Sequence, residues 1–315
     1  MQETIIVNLH GGLGNQLFHY SFAKILSKKL DKQILLDASD YKIKMGYNVR
    51  NFELKYFDTK IDFIHTKFDL YKKMDILLIC NLSINKIYNN FFYKKQNKKL
   101  YFNPKKSKIL FAPDLYFKNI DEMVKNISNI RYILKERFWN YTDLYPYKNE
   151  ILKDITLDYI KLDDKNNRVL LDITKNQMNS VGIHIRRGDF LIRDYPINLS
   201  DSKYYHNAIK FIKRKINKAR FFIFSDDKEF VKSHFNKMNN CKIVDINDDS
   251  NVIFDFYLMR QCRHFIMANS TLSWWVAFCN TYKNSIILTP KRWLKRQEEV
   301  GENYAPKKWI RIGIE

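Results

Sequence analysis

The stretch Val181-Gly-Ile-His-Ile-Arg-Arg-Gly-Asp189 decides the fold. Apolar Val181, Ile183 and Ile185 alternate with Gly182, His184 and Arg186, which is the period of a strand. The strand runs into two arginines, a glycine and an acid. A buried strand that ends this way delivers two guanidinium forks to the carboxyl edge of a sheet. Open α/β sheets bind their ligands at that edge, and planar forks suit phosphate.

The pattern repeats toward the C-terminus. Helix Ser202–Asn217 leads to strand Arg220–Phe224, which closes on Ser225-Asp226-Asp227 and a helix over 227–235. Strand Cys241–Val244 precedes helix Ser250–Cys262. Strand His264–Met267 precedes Asn269-Ser-Thr271 and helix Thr271–Thr281, and strand Ser285–Leu288 ends at Pro290. This β-α alternation predicts a parallel sheet with covering helices. Toward the N-terminus, the apolar run Thr4–Leu9 enters His10-Gly-Gly-Leu-Gly-Asn-Gln-Leu-Phe18. A helix over Asn15–Leu30 follows, with Leu17, Phe18, Phe22, Ile25, Leu26 and Leu30 on one stripe, and then strand Gln33–Asp37. Strand, glycine loop and helix open a second Rossmann-like unit. The loop is neither GxGxxG nor a Walker A sequence. Its glycines Gly11, Gly12 and Gly14 allow close backbone approach to a ligand, and the helix start offers free N–H groups to an anion. A plain tight turn is the alternative. Helices are also expected over Ile120–Leu134 and Tyr147–Tyr159, with the polar run Asp163–Arg168 as a linker.

The 315 residues, 45% of them hydrophobic, allow one large domain or two of about half the length. Lys and Arg number 55 against 34 acids, a formal charge of +21. That balance favours anionic partners: nucleic acid, acidic membrane or a phosphorylated substrate. A general excess of solvated surface lysine accounts for it equally well. Residues 69–108 concentrate the charge, with ten lysines from Lys72 to Lys108 among aromatic and aliphatic residues. Such a segment can lie on an anionic membrane surface, or form a core helix with a lysine face. Cys80, Cys241, Cys262 and Cys279 form no CxxC pair, so no zinc site of the usual spacing is expected. No signal peptide and no apolar run of spanning length is read.

Three polar clusters fall at strand ends in the second half: Arg186-Arg187-Gly188-Asp189, Ser225-Asp226-Asp227 and Asn269-Ser270-Thr271. In a parallel sheet these ends share one edge. The arginines fit a pyrophosphate, and the helix start at Thr271 adds N–H donors. Asp226 or Asp227 could hold a ribose or the edge of a base. Each cluster alone has a structural alternative, an Arg187–Asp189 bridge or an Asp226 helix cap. Together they point to a nucleoside-diphosphate site.

At these residues the chain resembles a known family. His184-Ile-Arg-Arg-Gly-Asp189 is similar to the HxRRxD motif of α1,2-, α1,6- and protein O-fucosyltransferases. His10–Phe18 resembles the GGLGNQ(L/M)F motif of the α1,2-fucosyltransferases, glycosyltransferase family 11. Phe224-Ser-Asp-Asp227, Ala268–Ala277 and Pro290-Lys-Arg-Trp293 resemble that family's FSDD, NST(F/Y)SWWAA and PxxW segments, in family order across residues 5–293. His19, Leu272 and Val276 depart from the pattern.

The resemblance implies an α/β fold of GT-B type, two Rossmann-like domains facing a central cleft. It divides the chain into an acceptor-side domain over 1–165, a GDP-fucose-binding domain over 166–290, and a segment 291–315 packing back on the first domain. It implies inverting transfer of L-fucose from GDP-fucose to the 2-hydroxyl of a terminal galactose, with no metal and no other cofactor. Arg186 is then first choice for the leaving-group charge, and Arg187 second or structural. Asn15 would approach the phosphate or fucose from the other domain. Ser270, Thr271 and Ser273 would bind phosphates beside Asn269, Asp226 or Asp227 would read guanine or ribose, and His184 would bond in the pocket or support it. Trp274 and Trp275 read as core. Asp189, Asp194, His10 and Asp40 are open candidates for a general base, Asp189 weakened by its arginines. A bacterial, cytoplasmic enzyme of O-antigen or capsule synthesis is expected. Its acceptor would be a galactose-terminated oligosaccharide, a lipid-pyrophosphate-linked one included, with residues 69–108 meeting the anionic inner leaflet. Two rivals stand beside this: a GT-B enzyme using another sugar nucleotide, and a basic nucleic-acid-binding protein. No RNA-binding or helix-turn-helix signature supports the second, so no nucleic-acid partner is expected.

Overall fold

The computed structural model describes residues 4–42, 50–72, 109–111, 118–127, 130–134, 140–194, 196–302 and 304–315. The chain divides into two compact units, Met1–Ile155 and Thr156–Glu315. Each is a parallel α/β sheet, as the sequence predicts. The lysine-rich membrane hypothesis falls largely on 73–108, outside the described residues.

In unit 1, strands β1 (Ile5–Asn8), β2 (Ile34–Asp37), β3 (Phe63–Ile64), β4 (Ile109–Phe111) and β5 (Tyr132–Leu134) are ordered β3-β2-β1-β5-β4. β1 pairs in parallel with β2 on one side and β5 on the other. All four residues of β1 are buried, as a strand covered on both faces requires. Helix α1 (Leu13–Leu30) follows the glycine loop and buries Leu17, Phe18, Phe22, Ile25 and Leu26. It is tied to the far end of the unit, where helix α5 (Lys148–Asp154) supplies Asp154. The Tyr20 hydroxyl donates to Asp154 at 2.5 Å, and Lys24 pairs with the same carboxylate. Short helices α2 (Lys67–Lys72), α3 (Ile120–Asn126) and α4 (Tyr141–Leu144) complete the described part. The helix expected over Ile120–Leu134 stops at Asn126 and its last residues are strand β5. β-branched Ile133 takes the central position beside β1, where pleated packing favours it.

In unit 2, β6 (Ser180–Ile185), β7 (Arg220–Ser225), β8 (Cys241–Val244), β9 (His264–Ile266), β10 (Ile287–Pro290) and β11 (Ile310–Ile312) are ordered β11-β10-β9-β6-β7-β8. Helices α6 (Asp164–Lys175), α7 (Tyr204–Lys215), α8 (Lys228–Phe235), α9 (Val252–Gln261) and α10 (Thr271–Cys279) cover it. β6 is central and wholly buried. Its odd residues Val181, Ile183 and Ile185 pack with Tyr204, Ala208 and Ile212 of α7. Gly182 faces the other way, where a Cβ would lie 3.0 Å from Phe265 and 3.3 Å from Cys262.

Two further boundaries differ from the sequence reading. Asp163–Arg168 is the start of α6: the Asp163 carboxylate accepts the Asn166 N–H at 2.8 Å and caps the helix. The polar run that reads as a linker is a capping sequence. Residues 291–315 belong to unit 2, because Ile310–Ile312 pairs in parallel with β10 and extends the second sheet. An edge strand of three residues, one of them Arg311, gives too short an alternation to be seen in sequence.

Candidate active site

The second sheet positions the arginines. Where β6 ends, the chain turns into a short 3-10 helix over Gly188–Leu191, and side chains from the ends of β6 and β7 meet. Arg186 lies between two carboxylates: Nη2 donates to Asp189 Oδ1 at 2.5 Å and Nη1 meets Asp226 Oδ2 at 2.9 Å. Asp189 is shared, its Oδ2 meeting Arg193 at 2.7 Å. Arg187 is tied more tightly. Its backbone N–H donates to Asp226 at 2.9 Å, Nε to Asp227 at 3.0 Å, and Nη1 to the Ser200 hydroxyl at 2.5 Å. Its guanidinium also lies 3.9 Å from the centre of the Phe230 ring. Arg186 therefore keeps three of its five N–H groups uncommitted among the described residues, whereas Arg187 is built into the wall.

The neighbouring charges follow from burial. Asp226 is pushed above the usual carboxylate range by burial, with Arg186 pulling the other way. Asp227 is held below that range by the N–H of Phe230, which it caps, and by Arg187. Gly188 is required by close approach, since a Cβ there would sit 2.4 Å from Asp226 Oδ2. The sequence reading gives Asp226 or Asp227 to guanine or ribose. The structure commits both to the arginines.

His184 sits one residue-pair back along β6 and is buried. Its Nδ1 lies 2.6 Å from the Ser273 hydroxyl, which also accepts the Ala268 N–H at 2.9 Å. Burial, and then the charge of Arg186, lower its pKa to about 3, so the imidazole is neutral near pH 7. The Tyr205 hydroxyl donates to the His184 carbonyl at 3.0 Å. Ser273 is fully enclosed and its hydroxyl is spent on His184 and Ala268, which corrects the expectation that it binds phosphate. Ser270 caps α10 by accepting the Ser273 N–H at 3.2 Å, leaving half-buried Thr271 at the helix start. Asn269 staples two loops, its amide donating to Ile197 O and Trp293 O, each at 2.9 Å. Its Oδ1 is buried with no hydrogen-bond partner among the described residues. Trp274 and Trp275 are core, as expected.

The glycine loop of unit 1 is built from backbone and amides. Gly11 has φ +75, and a Cβ there would lie 2.4 Å from Asn15 Nδ2, so both conformation and space demand glycine. Gly12 precedes α1 with no side-chain cap, and Gly14 is buried in its first turn. Gln16, fully buried, locks the loop: its amide donates to Gly11 O at 3.0 Å and Asn51 O at 2.8 Å, and its carbonyl accepts the Glu53 N–H at 2.8 Å. Tyr41 donates to Gly11 O at 2.8 Å. The half-buried Asn15 side chain has no hydrogen-bond partner among the described residues. Asp40 pairs with Lys67 at 2.7 Å, and the His10 ring lies 4.3 Å from that of His19.

Sequence reasoning missed Gln16 as a clamp, Ser200 and Arg193 as partners, and Glu53. Arg193 carries a signal, standing four residues after Asp189. Glu53 carries none. It is 2% exposed, its Oε2 has no hydrogen-bond partner among the described residues, and burial pushes its pKa up to about 7. Among the described residues no group of three or more His, Cys, Asp or Glu is placed to hold a metal ion, and no helix is long and apolar enough to cross a membrane.

Comparison with known proteins bears on what this edge serves. A family model described as Glycosyl transferase family 11 matches residues 4–313. An alpha-1,2-colitosyltransferase of Escherichia coli is 30% identical, with 98% of this chain and 99% of that protein aligned. The O-antigen biosynthesis glycosyltransferase WbnK of Escherichia coli is 27% identical over 90% of this chain and 93% of its own. Galactoside 2-alpha-L-fucosyltransferase SEC1 of Bos taurus is 25% identical over 44% of this chain and 39% of its own. Among solved structures, NodZ alpha-1,6-fucosyltransferase co-crystallized with GDP matches with a TM-score of 0.53 at 14% identity, covering 88% of this chain and 92% of that one. The likeness shows the fold, two parallel α/β units of the GT-B type.

Proposed function

The chain belongs to glycosyl transferase family 11, and from that premise we propose that it moves L-fucose or its 3-deoxy relative colitose from a GDP-linked donor to the 2-hydroxyl of a terminal galactose. The observation that carries the reading is Arg186: a guanidinium at the carboxyl edge of the second sheet, oriented by Asp189 and Asp226, with three N–H groups still to give. A glycosyl transfer from a sugar nucleotide leaves a diphosphate, and fixed cation donors there stabilise the charge that develops as the bond breaks. Arg186 takes that role, and Arg187 holds the wall. Two carboxylates beside Arg186 keep it from collapsing onto other groups and leave the edge ready for an anion.

Attack by the acceptor hydroxyl on the anomeric carbon, with the donor bond breaking toward GDP, inverts that carbon and releases GDP and the hydroxyl proton. Unit 2 is the donor-binding unit, with Ser270 and Thr271 lining the phosphate side and Asn269 stapling the loops beneath them. Unit 1 offers Asn15 and the N–H groups of the glycine loop. Transfer without a metal ion is part of the proposal, so chelation with EDTA leaves the rate unchanged. The relatives support O-antigen synthesis as the setting. A peripheral contact of residues 69–108 with anionic lipid belongs to the same reading and is checked by sedimentation with anionic liposomes at low salt.

The donor assay is decisive. The protein is incubated with a galactose-terminated disaccharide and GDP-fucose, GDP-colitose or GDP-mannose. α1,2-linked product from either 6-deoxy donor supports the proposal, and the ratio of the two sets the specificity. Turnover of GDP-mannose alone refutes the donor assignment.

A further inference from the structure

On the other side of β6 from Asp226 and Asp227, the second sheet carries cations that the proposed transfer does not use. Strands β10 and β11 run parallel, and the chain leaving their carboxyl ends encloses a cavity of about 420 Å³. Lys291, Arg292, Lys295 and Arg296 line it from the β10 side, and Gly313 and Glu315 from the β11 side. Four cations thus share the cavity with two carboxylates, Glu298 and Glu315. None of the four makes an ion pair among the described residues. The positive charge left over attracts an anion.

The walls are held in place. The Lys291 N–H donates to Ile312 O and the Val300 N–H to Lys291 O, each at 2.8 Å. Arg292, half-buried, donates from Nε to Gln297 O at 2.8 Å and from Nη2 to Lys295 O at 3.0 Å. Its fork is fixed, with three of its five N–H groups left. On the opposite wall, the Lys203 N–H donates to Ile314 O at 3.1 Å and the Asn207 amide to Glu315 O at 3.2 Å.

The rim is apolar. Leu294 stands in the same loop, between Lys291 and Lys295, and is 42% exposed. It forms an antiparallel bridge with Pro196, and the Ile197 N–H donates to Trp293 O at 3.1 Å. The segment joined in this way carries Leu191 and Ile192, 48% and 86% exposed. Ile192 is four residues from Pro196, within about 14 Å along the chain. Single exposed aliphatic residues are ordinary, but three on two joined loops beside a cationic cavity make an amphipathic face. A flat bilayer would meet the exposed lysines alone. A cavity with a fixed guanidinium suits a discrete head group, and its excess of cations suits a head with more than one charge.

We propose that this corner binds a phosphorylated amphiphile, a lipid diphosphate. Its phosphates enter the cavity among Lys291, Arg292, Lys295 and Arg296, and its chain lies toward Leu294, Leu191 and Ile192. Arg186 closes β6 and Lys291 follows β10, two strands away, about 10 Å at the usual strand spacing. The site is therefore separate from the arginine edge, and the inference does not depend on which nucleotide donor the protein uses.

The probe is farnesyl diphosphate below its micelle concentration, titrated calorimetrically into the whole protein beside inorganic pyrophosphate. The Arg186→Ala protein serves as parent, so that the arginine edge does not compete. The parent is expected to bind farnesyl diphosphate roughly 10- to 100-fold more tightly than pyrophosphate, the worth of burying a few methylene groups. Adding Lys291→Ala, Lys295→Ala and Arg296→Ala together should weaken both ligands by roughly 10- to 100-fold, the worth of one or two hydrogen bonds from charged groups. Adding Ile192→Ser and Leu294→Ser should bring farnesyl diphosphate to the level of pyrophosphate. Undiminished farnesyl diphosphate binding by the folded triple-alanine protein overturns the site. Equal binding of the two ligands by the parent overturns the lipid. Vesicles containing phosphatidylglycerol that bind through the same three side chains, with no binding of farnesyl diphosphate, overturn the discrete head group in favour of a general membrane contact. If the triple variant does not fold, Gly313→Glu decides, since a Cβ there meets nothing within 4 Å. The added acid should weaken farnesyl diphosphate about tenfold, and unchanged affinity overturns the site.

Discussion

The glycine loop of unit 1 and the arginine edge of unit 2 are held in shape by opposite chemistry. The glycine loop of unit 1 has no charged side chain in its own structure: it is shaped by a left-handed Gly11, clamped by the Gln16 amide and capped by the Tyr41 hydroxyl. The arginine edge of unit 2 is almost entirely ionic, with Arg186, Arg187 and Arg193 bound to Asp189, Asp226 and Asp227. The difference teaches where each unit places fixed charge. An ionic lattice holds a guanidinium still while leaving N–H groups for a phosphate. A loop of amides presents neutral donors without adding charge of its own.

The largest expected effect comes from breaking the ionic side. Arg186→Ala should lower transfer by about 10²- to 10³-fold, the cost of losing one preorganised donor, in steady-state assays with the fold checked by circular dichroism. Near-wild-type turnover would remove Arg186 from the mechanism. On the neutral side, Gly11→Ala forces a Cβ onto the left-handed position and against Asn15. It should cost about 1–3 kcal/mol of stability and weaken transfer with it. Unchanged denaturation would mean the turn is not constrained as described.

The smallest effect sharpens the contrast through pH. Glu53 is the carboxyl that the neutral side keeps out of ion pairs with its loop, and its folded pKa is raised to about 7 from the ordinary carboxylate value of 4.5. The folded state therefore holds the proton more tightly than the unfolded state. Its contribution to stability is complete below the ordinary carboxylate range and drains away as pH rises to about 7. Glu53→Gln cannot ionise, so relative to wild type it should gain about 2–3 kcal/mol between pH 4 and pH 8 in urea denaturation. A difference that does not change with pH would show that Glu53 ionises normally.

Much of this was legible in sequence, for physical reasons. Strand β6 is buried on both faces, and its alternation ending in Arg186-Arg187 marks both strand and edge. The helix following Gly14 and the strand–helix repeats of unit 2 show the same clear periods. What escaped was set by contacts between distant residues. Asp226 and Asp227 read as ligands because nothing local shows that Arg186 and Arg187, about forty positions earlier, claim them. Ser273 reads as a phosphate contact until its hydroxyl is seen under His184. Asp163–Arg168 reads as a linker because a capping sequence and a polar linker share the same composition.

The most direct test of the account is calorimetric titration of GDP and GMP into wild type, Arg186→Ala and Arg187→Ala. If the edge of unit 2 holds a diphosphate through the open donors of Arg186, wild type binds GDP well above GMP. Arg186→Ala abolishes that gap, and Arg187→Ala lowers thermal stability while keeping most of it. Equal binding of GDP and GMP by wild type, or an undiminished gap in a folded Arg186→Ala protein, would contradict it.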